Sequence, residues 1–175
     1  MRTRLLRSRQ GQGLIEAAIV LPFLLVITLN ALNLGYFFFV YLNLATAPRQ
    51  GAQYSILGSV TTVNVLPDPD DVHQLLSDDI TGAISSAATT PARVCSLALG
   101  TSSPHDATQV PLCKLYNAGS DPFSAVQPDP EAPALVLNRV DISYTVAPLI
   151  QGAPFNLIMP SSLTFHRLVY MRAEQ

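Results

Sequence analysis

The chain has 175 residues, 49% of them hydrophobic and only 13% charged, with a formal net charge of −2. This allows one modest domain beside a membrane segment. Beyond residue 40, six basic residues face eleven acidic ones, which leaves no basic patch for nucleic acid. Two cysteines and three scattered histidines lack metal-ligand spacing, so neither a metal nor another cofactor is expected.

The first element is a leader, residues 1–11, carrying Arg2, Arg4, Arg7 and Arg9 and ending at Gly11. From Leu14 to Val40 runs a 27-residue apolar stretch whose only strongly polar side chains are Glu16, Asn30 and Asn33. Roughly 20 apolar residues suffice to cross a bilayer, and this run would extend about 40 Å as a continuous helix. A single transmembrane helix is therefore predicted, with membrane lipid as its surroundings. The arginines keep the N-terminus cytoplasmic and send the remainder outward, with Tyr36 to Tyr41 as an aromatic belt at the far interface. A carboxylate within such a run costs a few kcal/mol to insert, so Glu16 calls for a partner unless it merely snorkels to the interface. Pro22 removes the helix bond to the carbonyl of Ala18, which predicts a bend, either silent or a hinge. A cleaved secretory signal is the competing reading, since Ala45-Thr46-Ala47 has the small-residue pattern. The apolar run is about twice the usual signal core, however, and Pro48 would follow the cut.

The helix is expected to continue to Gly58, giving an N-terminal helical region over 12–58 and an exported head over 59–175. After a turn-rich linker around Pro67 and Pro69, Asp71-Val72-His73-Gln74 fits a D-x-x-Q capping box. Val72, Leu75, Leu76, Ile80, Ala83, Ile84 and Ala87 then follow at helical spacing, predicting an amphipathic helix over 71–88. Cys95, Leu97 and Leu99 alternate as a short strand, and 109–116 around Cys113 reads as a second. Both cysteines lie in the exported part, where an oxidising compartment favours a Cys95–Cys113 disulfide over two buried thiols. Residues 117–133, rich in Pro, Gly and Asp, read as an exposed loop. Val136, Val140, Ile142, Tyr144 and Val146 share one face of a strand. Leu163, Phe165, Val169 and Met171 share one face of another, and antiparallel pairing of the two is expected. The head is thus α+β, a helix packed on an antiparallel sheet.

No nucleophile elbow, phosphate loop or dinucleotide fingerprint is present, and no enzymatic activity is expected. His73, His105 and His166 fall on different elements. Asp68, Asp70 and Asp71 could ligate calcium, but helix capping and solvation account for them without an EF-hand pattern.

The order of basic leader, Gly11, Glu16 and long apolar helix resembles the class III signal of type IV pilins and pseudopilins. In that family a prepilin peptidase cuts after the glycine and the apolar helix stays with the mature protein. A cut between Gly11 and Gln12 makes Glu16 the fifth residue, the family's glutamate position; a cut after Gly13 does not. More narrowly, Gly13 to Gly58 resembles the TadE-like family, minor pseudopilins of the tight-adherence (Tad) pilus system. Glu16-Ala17-Ala18, Val20-Leu21-Pro22 and Pro48-Arg49-Gln50-Gly51-Ala52 carry that likeness. Pro48 departs from the alanine-like residue usual there, and Ala17 replaces the tyrosine of the small Flp pilins. The resemblance implies a structural, non-enzymatic subunit acting in assembly of a pilus for surface adherence. Its implied place is the bacterial inner membrane with a periplasmic head, possible entry into the pilus itself being part of the same implication. Its implied partners are a prepilin peptidase, other pilin-like subunits and Tad assembly proteins, with Glu16 neutralising a subunit's new amine. A generic single-span envelope protein with a ligand-binding head is the first rival, and an anchored hydrolase the second.

Overall fold

In the computed structural model, residues 9–57, 66–82, 84, 89–102, 109–132, 134–153 and 160–174 are described. They fall into two compact units. One comprises the residues up to Phe37 with Ala147–Ser162, the other Phe38–Val146 with the residues from Leu163 onward. Helix α1, Arg9–Ile56, is 48 residues long and contributes to both. It runs unbroken past Pro22 and Pro48.

In the first unit every α1 residue from Gly13 to Leu25 is exposed, on all sides of the helix. Further along, Asn33 is fully buried. Its amide nitrogen donates to the Ile150 carbonyl at 3.0 Å, and its amide oxygen accepts from the Ile150 N–H at 2.9 Å. One side chain thereby satisfies both backbone groups of a residue 117 positions away in sequence.

In the second unit, the later part of α1 buries Val40, Leu44, Ala47, Ala52 and Ser55, a stripe at helical spacing. Helix α2, Pro69–Thr81, buries Val72, Leu76 and Ile80. Four antiparallel strands follow: β1 (Ala92–Cys95), β2 (Cys113–Tyr116), β3 (Leu135–Val146) and β4 (Leu163–Glu174). They are ordered β2-β1-β3-β4. The β3–β4 ladder is the longest, with Val140 opposite Val169 and Leu135 opposite Glu174. One face of the sheet meets the helices. Asn138 of β3 donates to Ser55 of α1, and a Cβ on Gly51 would lie 3.6 Å from both Val140 and Val72. That close approach of α1, α2 and β3 suits a residue without a side chain. Fully burying one aliphatic side chain of this core contributes roughly 1.5–3 kcal/mol.

The α+β architecture is the one expected, while several boundaries differ. Helix α2 begins earlier than the capping box at Asp71 implied. Asp68 is its N-cap, accepting from the Asp70 N–H at 2.9 Å, and Pro69 takes the first turn, where its missing N–H costs nothing. It also stops at Thr81, with Gly82 as C-cap, rather than reaching 88. Ile84 is buried just beyond, and residues 83 and 85–88 lie outside the described ones. The strand expected over Cys95, Leu97 and Leu99 lies earlier, as β1, because Leu97–Leu99 close into a 3-10 turn. The Leu97 N–H is satisfied by the Asn138 side chain instead of a ladder. Of 109–116, only Cys113–Tyr116 is regular strand, and Pro111 makes an isolated bridge to Thr101. Cys95 and Cys113 stand opposite one another in the β1–β2 register and form a disulfide.

Candidate functional site

The residues singled out in the sequence lie along the start of α1. Gly11 and Gln12 sit in its first turn, where the leading N–H groups lack intrahelical partners. Glu16 is exposed and, among the described residues, forms no ion pair. Pro22 is exposed on the same unbroken helix. Around these residues the surface is almost wholly apolar, with Leu14 74%, Phe23 68% and Ile27 64% exposed. An isolated soluble helix would not spread apolar side chains over every face, because water penalises each one. Gly13–Ile56, with a mean hydropathy of 2.2 over its most apolar window, is long and apolar enough to cross a membrane. One such helix fits a single-pass membrane protein.

The head holds a second constellation, which the sequence did not disclose. Arg93, Arg139 and Asp141 are all buried, on the sheet face opposite the helices. Arg93 Nε and Nη2 donate to one Asp141 oxygen at 3.0 and 2.9 Å. Arg139 Nε and Nη2 donate to the other at 2.8 and 2.6 Å. A single carboxylate thus serves two guanidiniums. The remaining donors reach into the segment after β2. Arg93 pairs with Asp121 at 2.7 Å and donates to the Ser124 carbonyl, and Arg139 donates to the Ala125 carbonyl and the Ser124 hydroxyl. Arg139 also donates to the Tyr170 hydroxyl at 2.7 Å. Of the expected 117–133 loop, the described residues 117–132 are irregular, and they are fastened to the sheet rather than simply solvated. Buried charges of this kind persist only when paired and hydrogen-bonded throughout.

Beside this cluster lies a cleft of ≈ 250 Å³ lined by Phe123, Ser124, Arg139, Asp141, His166 and Arg167. Every N–H of Arg139 is already engaged, so the cleft presents a satisfied structural network rather than an idle catalytic group. Among the described residues, no group of three or more His, Cys, Asp or Glu could hold a metal ion. Two of the three candidate calcium ligands are otherwise occupied. Asp68 caps α2, while Asp70 accepts from Lys114 Nζ at 2.6 Å and from the Tyr116 hydroxyl at 2.6 Å. The Lys114 bond, then the Tyr116 bond, hold the Asp70 carboxyl below its usual value of 3.8. Burial pushes the Tyr116 hydroxyl up, aided by Asp70. His73 stacks on Tyr116 with centroids 4.0 Å apart, and burial lowers its pKa from 6.5. His105 lies outside the described residues.

Comparison with known families places one match on this chain: residues 11–53 fit the family described as TadE-like protein. The match begins at Gly11 and covers Glu16, Pro22 and most of α1. Over that segment the chain is similar to a family of pilus-associated structural proteins. No curated protein and no solved structure matches it.

Proposed function

From the TadE-like segment over residues 11–53, we propose that the chain is a minor pseudopilin of a Tad-type pilus. It acts structurally and is processed by a prepilin peptidase between Gly11 and Gln12. The observation that carries this reading is the coincidence of the family match with an apolar helix start that is exposed on every side. Such a surface suits a helix that first lies in lipid and then packs against other pilin-like helices. The N-terminus is assigned to the cytoplasm by its arginines, and the head to the periplasmic side of the inner membrane.

The first turn of α1 suits cleavage. A peptidase needs an extended substrate, so roughly one helical turn must unwind around Gly11. Each glycine there lowers helix stability by about 1 kcal/mol relative to alanine, and terminal turns open most readily. Cleavage creates an ammonium four residues before Glu16. The carboxylate, unpaired among the described residues, then has a cation to neutralise, on its own or a neighbouring subunit.

N-terminal sequencing of the chain produced with its prepilin peptidase tests this. A start at Gln12 is expected. An intact Met1, or a start at Pro48, overturns the reading.

A further inference from the structure

Asn33 occupies a costly position, an amide within an apolar run, and its partner explains where part of the β3–β4 connection lies. The distance along α1 from Leu14 to Asn33 is about 30 Å, the thickness of a bilayer's hydrocarbon core. If Leu14 marks the cytoplasmic edge, Asn33 lies at the outer one. There its side chain grips the backbone of Ile150 through two reciprocal hydrogen bonds. Beside Ile150, Leu149 is 66% exposed. The sequence carries no Asp, Glu, Lys or Arg between Asp141 and Arg167. An exposed leucine, an uncharged segment and a clamp on the membrane helix share one level of the first unit.

We propose that residues 147–153 form a second membrane contact, with Leu149 seated in the outer leaflet of the bilayer that α1 crosses. This rests on the reading of α1 as a membrane span. The physical difficulty with an irregular segment at that depth is its backbone, since each unsatisfied N–H or C=O costs several kcal/mol away from water. Asn33 removes that cost at Ile150, satisfying both groups at once. The polar residue that burdens the helix thus makes the neighbouring backbone tolerable to lipid. Asn33 is a positioning residue, and Leu149 is the group that meets acyl chains. The contact limits rotation of the helix about its own axis, because only one helix face carries the segment.

The absence of tryptophan from the sequence gives a clean measurement. Leu149→Trp and, separately, Phe23→Trp in the full chain are reconstituted into phosphatidylethanolamine–phosphatidylglycerol vesicles. Their emission is then quenched with lipids brominated on the acyl chain, or with aqueous iodide. The expected result is quenching of both tryptophans by brominated lipid, with a blue-shifted emission and little effect of iodide. Adding Asn33→Leu should reduce lipid quenching of the Leu149→Trp reporter and leave the Phe23→Trp reporter unchanged. Iodide quenching of Leu149→Trp while Phe23→Trp remains lipid-quenched overturns the inference and leaves the membrane span standing. Protection of Leu149→Trp from both quenchers also overturns it, since the residue is then packed against protein. If Phe23→Trp is itself untouched by brominated lipid, the span reading falls and the inference falls with it.

Discussion

The start of α1 and the core of the head are built by opposite rules. Between Gly13 and Ile27 the chain displays leucine, isoleucine and phenylalanine outward, whereas the head encloses Arg93, Arg139 and Asp141. Each arrangement would be expensive in the other's surroundings. Apolar exposure is favourable only where the solvent is lipid or another apolar helix. Buried charge is tolerable only where every donor and acceptor is met, as it is around Asp141. The contrast shows that burial alone says little about stability; the medium outside and the pairing inside decide its sign.

Three substitutions sharpen this contrast most directly. Asp141→Asn keeps the shape of the carboxylate but leaves two enclosed guanidiniums poorly balanced. A loss of about 3–5 kcal/mol is expected in denaturant unfolding of the head, followed by circular dichroism of the detergent-solubilised chain. A loss below about 1 kcal/mol would mean that water relieves the cluster and that the head is not the closed system described. Phe23→Arg and Leu112→Arg form a matched pair, both at exposed apolar positions. In water each would shift stability by no more than about 0.5 kcal/mol. In a membrane the first should cost about 2.5–3.5 kcal/mol of insertion, read as the fraction of chain released by carbonate extraction. Equal behaviour of the two would erase the distinction between the regions.

A smaller effect follows from His73. Its folded pKa lies below 6.5, so the folded head binds fewer protons than the unfolded chain. The corresponding stability is full above pH 6.5, declines below it and is lost as pH falls through the lower folded value. His73→Phe keeps a ring over Tyr116 and should flatten the decline in melting temperature between neutral and mildly acidic pH. Last, Glu16→Ala removes the carboxylate from the apolar start of α1 and should leave membrane insertion intact, since it takes away a group that is costly to place in lipid. Under the proposed function it should nevertheless reduce piliation, counted by electron microscopy; full piliation would count against the role given to Glu16.

Long, regular features were legible in the sequence. The apolar run of α1 needed only composition and length, and β3 and β4, twelve residues each, displayed period two over most of their length, broken at Asn138 and Arg167. What escaped was short or depended on distant partners. β1 is only four residues and buried at each, so no alternation of polarity marked it. Arg93 sits between Ala92 and Val94, where a charge reads as solvent-facing until Asp141 and Asp121 supply the other half. A weak signal did exist: Arg139 and Asp141 share the face of β3 opposite Val140 and Ile142, as an ion pair two residues apart would. The segment 117–133 was read as exposed because Pro, Gly and Asp dominate it, yet its backbone carbonyls at Ser124 and Ala125 are what the arginines hold. Asn33 was visible as an oddity in an apolar run, but its partner lies beyond any local pattern.

The outer strand β4 has a consequence for solubility. Among the described residues its far side has no neighbouring strand, and it is as long as β3. Such an edge is a ready template for another chain, and a long, regular one invites aggregation. Its sequence works against that. Arg167 lies in the middle of β4 on the side facing α1, its guanidinium 4.4 Å from the Tyr41 ring centroid. Near the strand's end Arg172 is held by Asp129 at 3.0 Å. A sheet extended across β4 would have to accommodate an inward-pointing cation beside each added strand, together with an arginine tied down on the other face. The head therefore carries its own protection against stacking edge to edge.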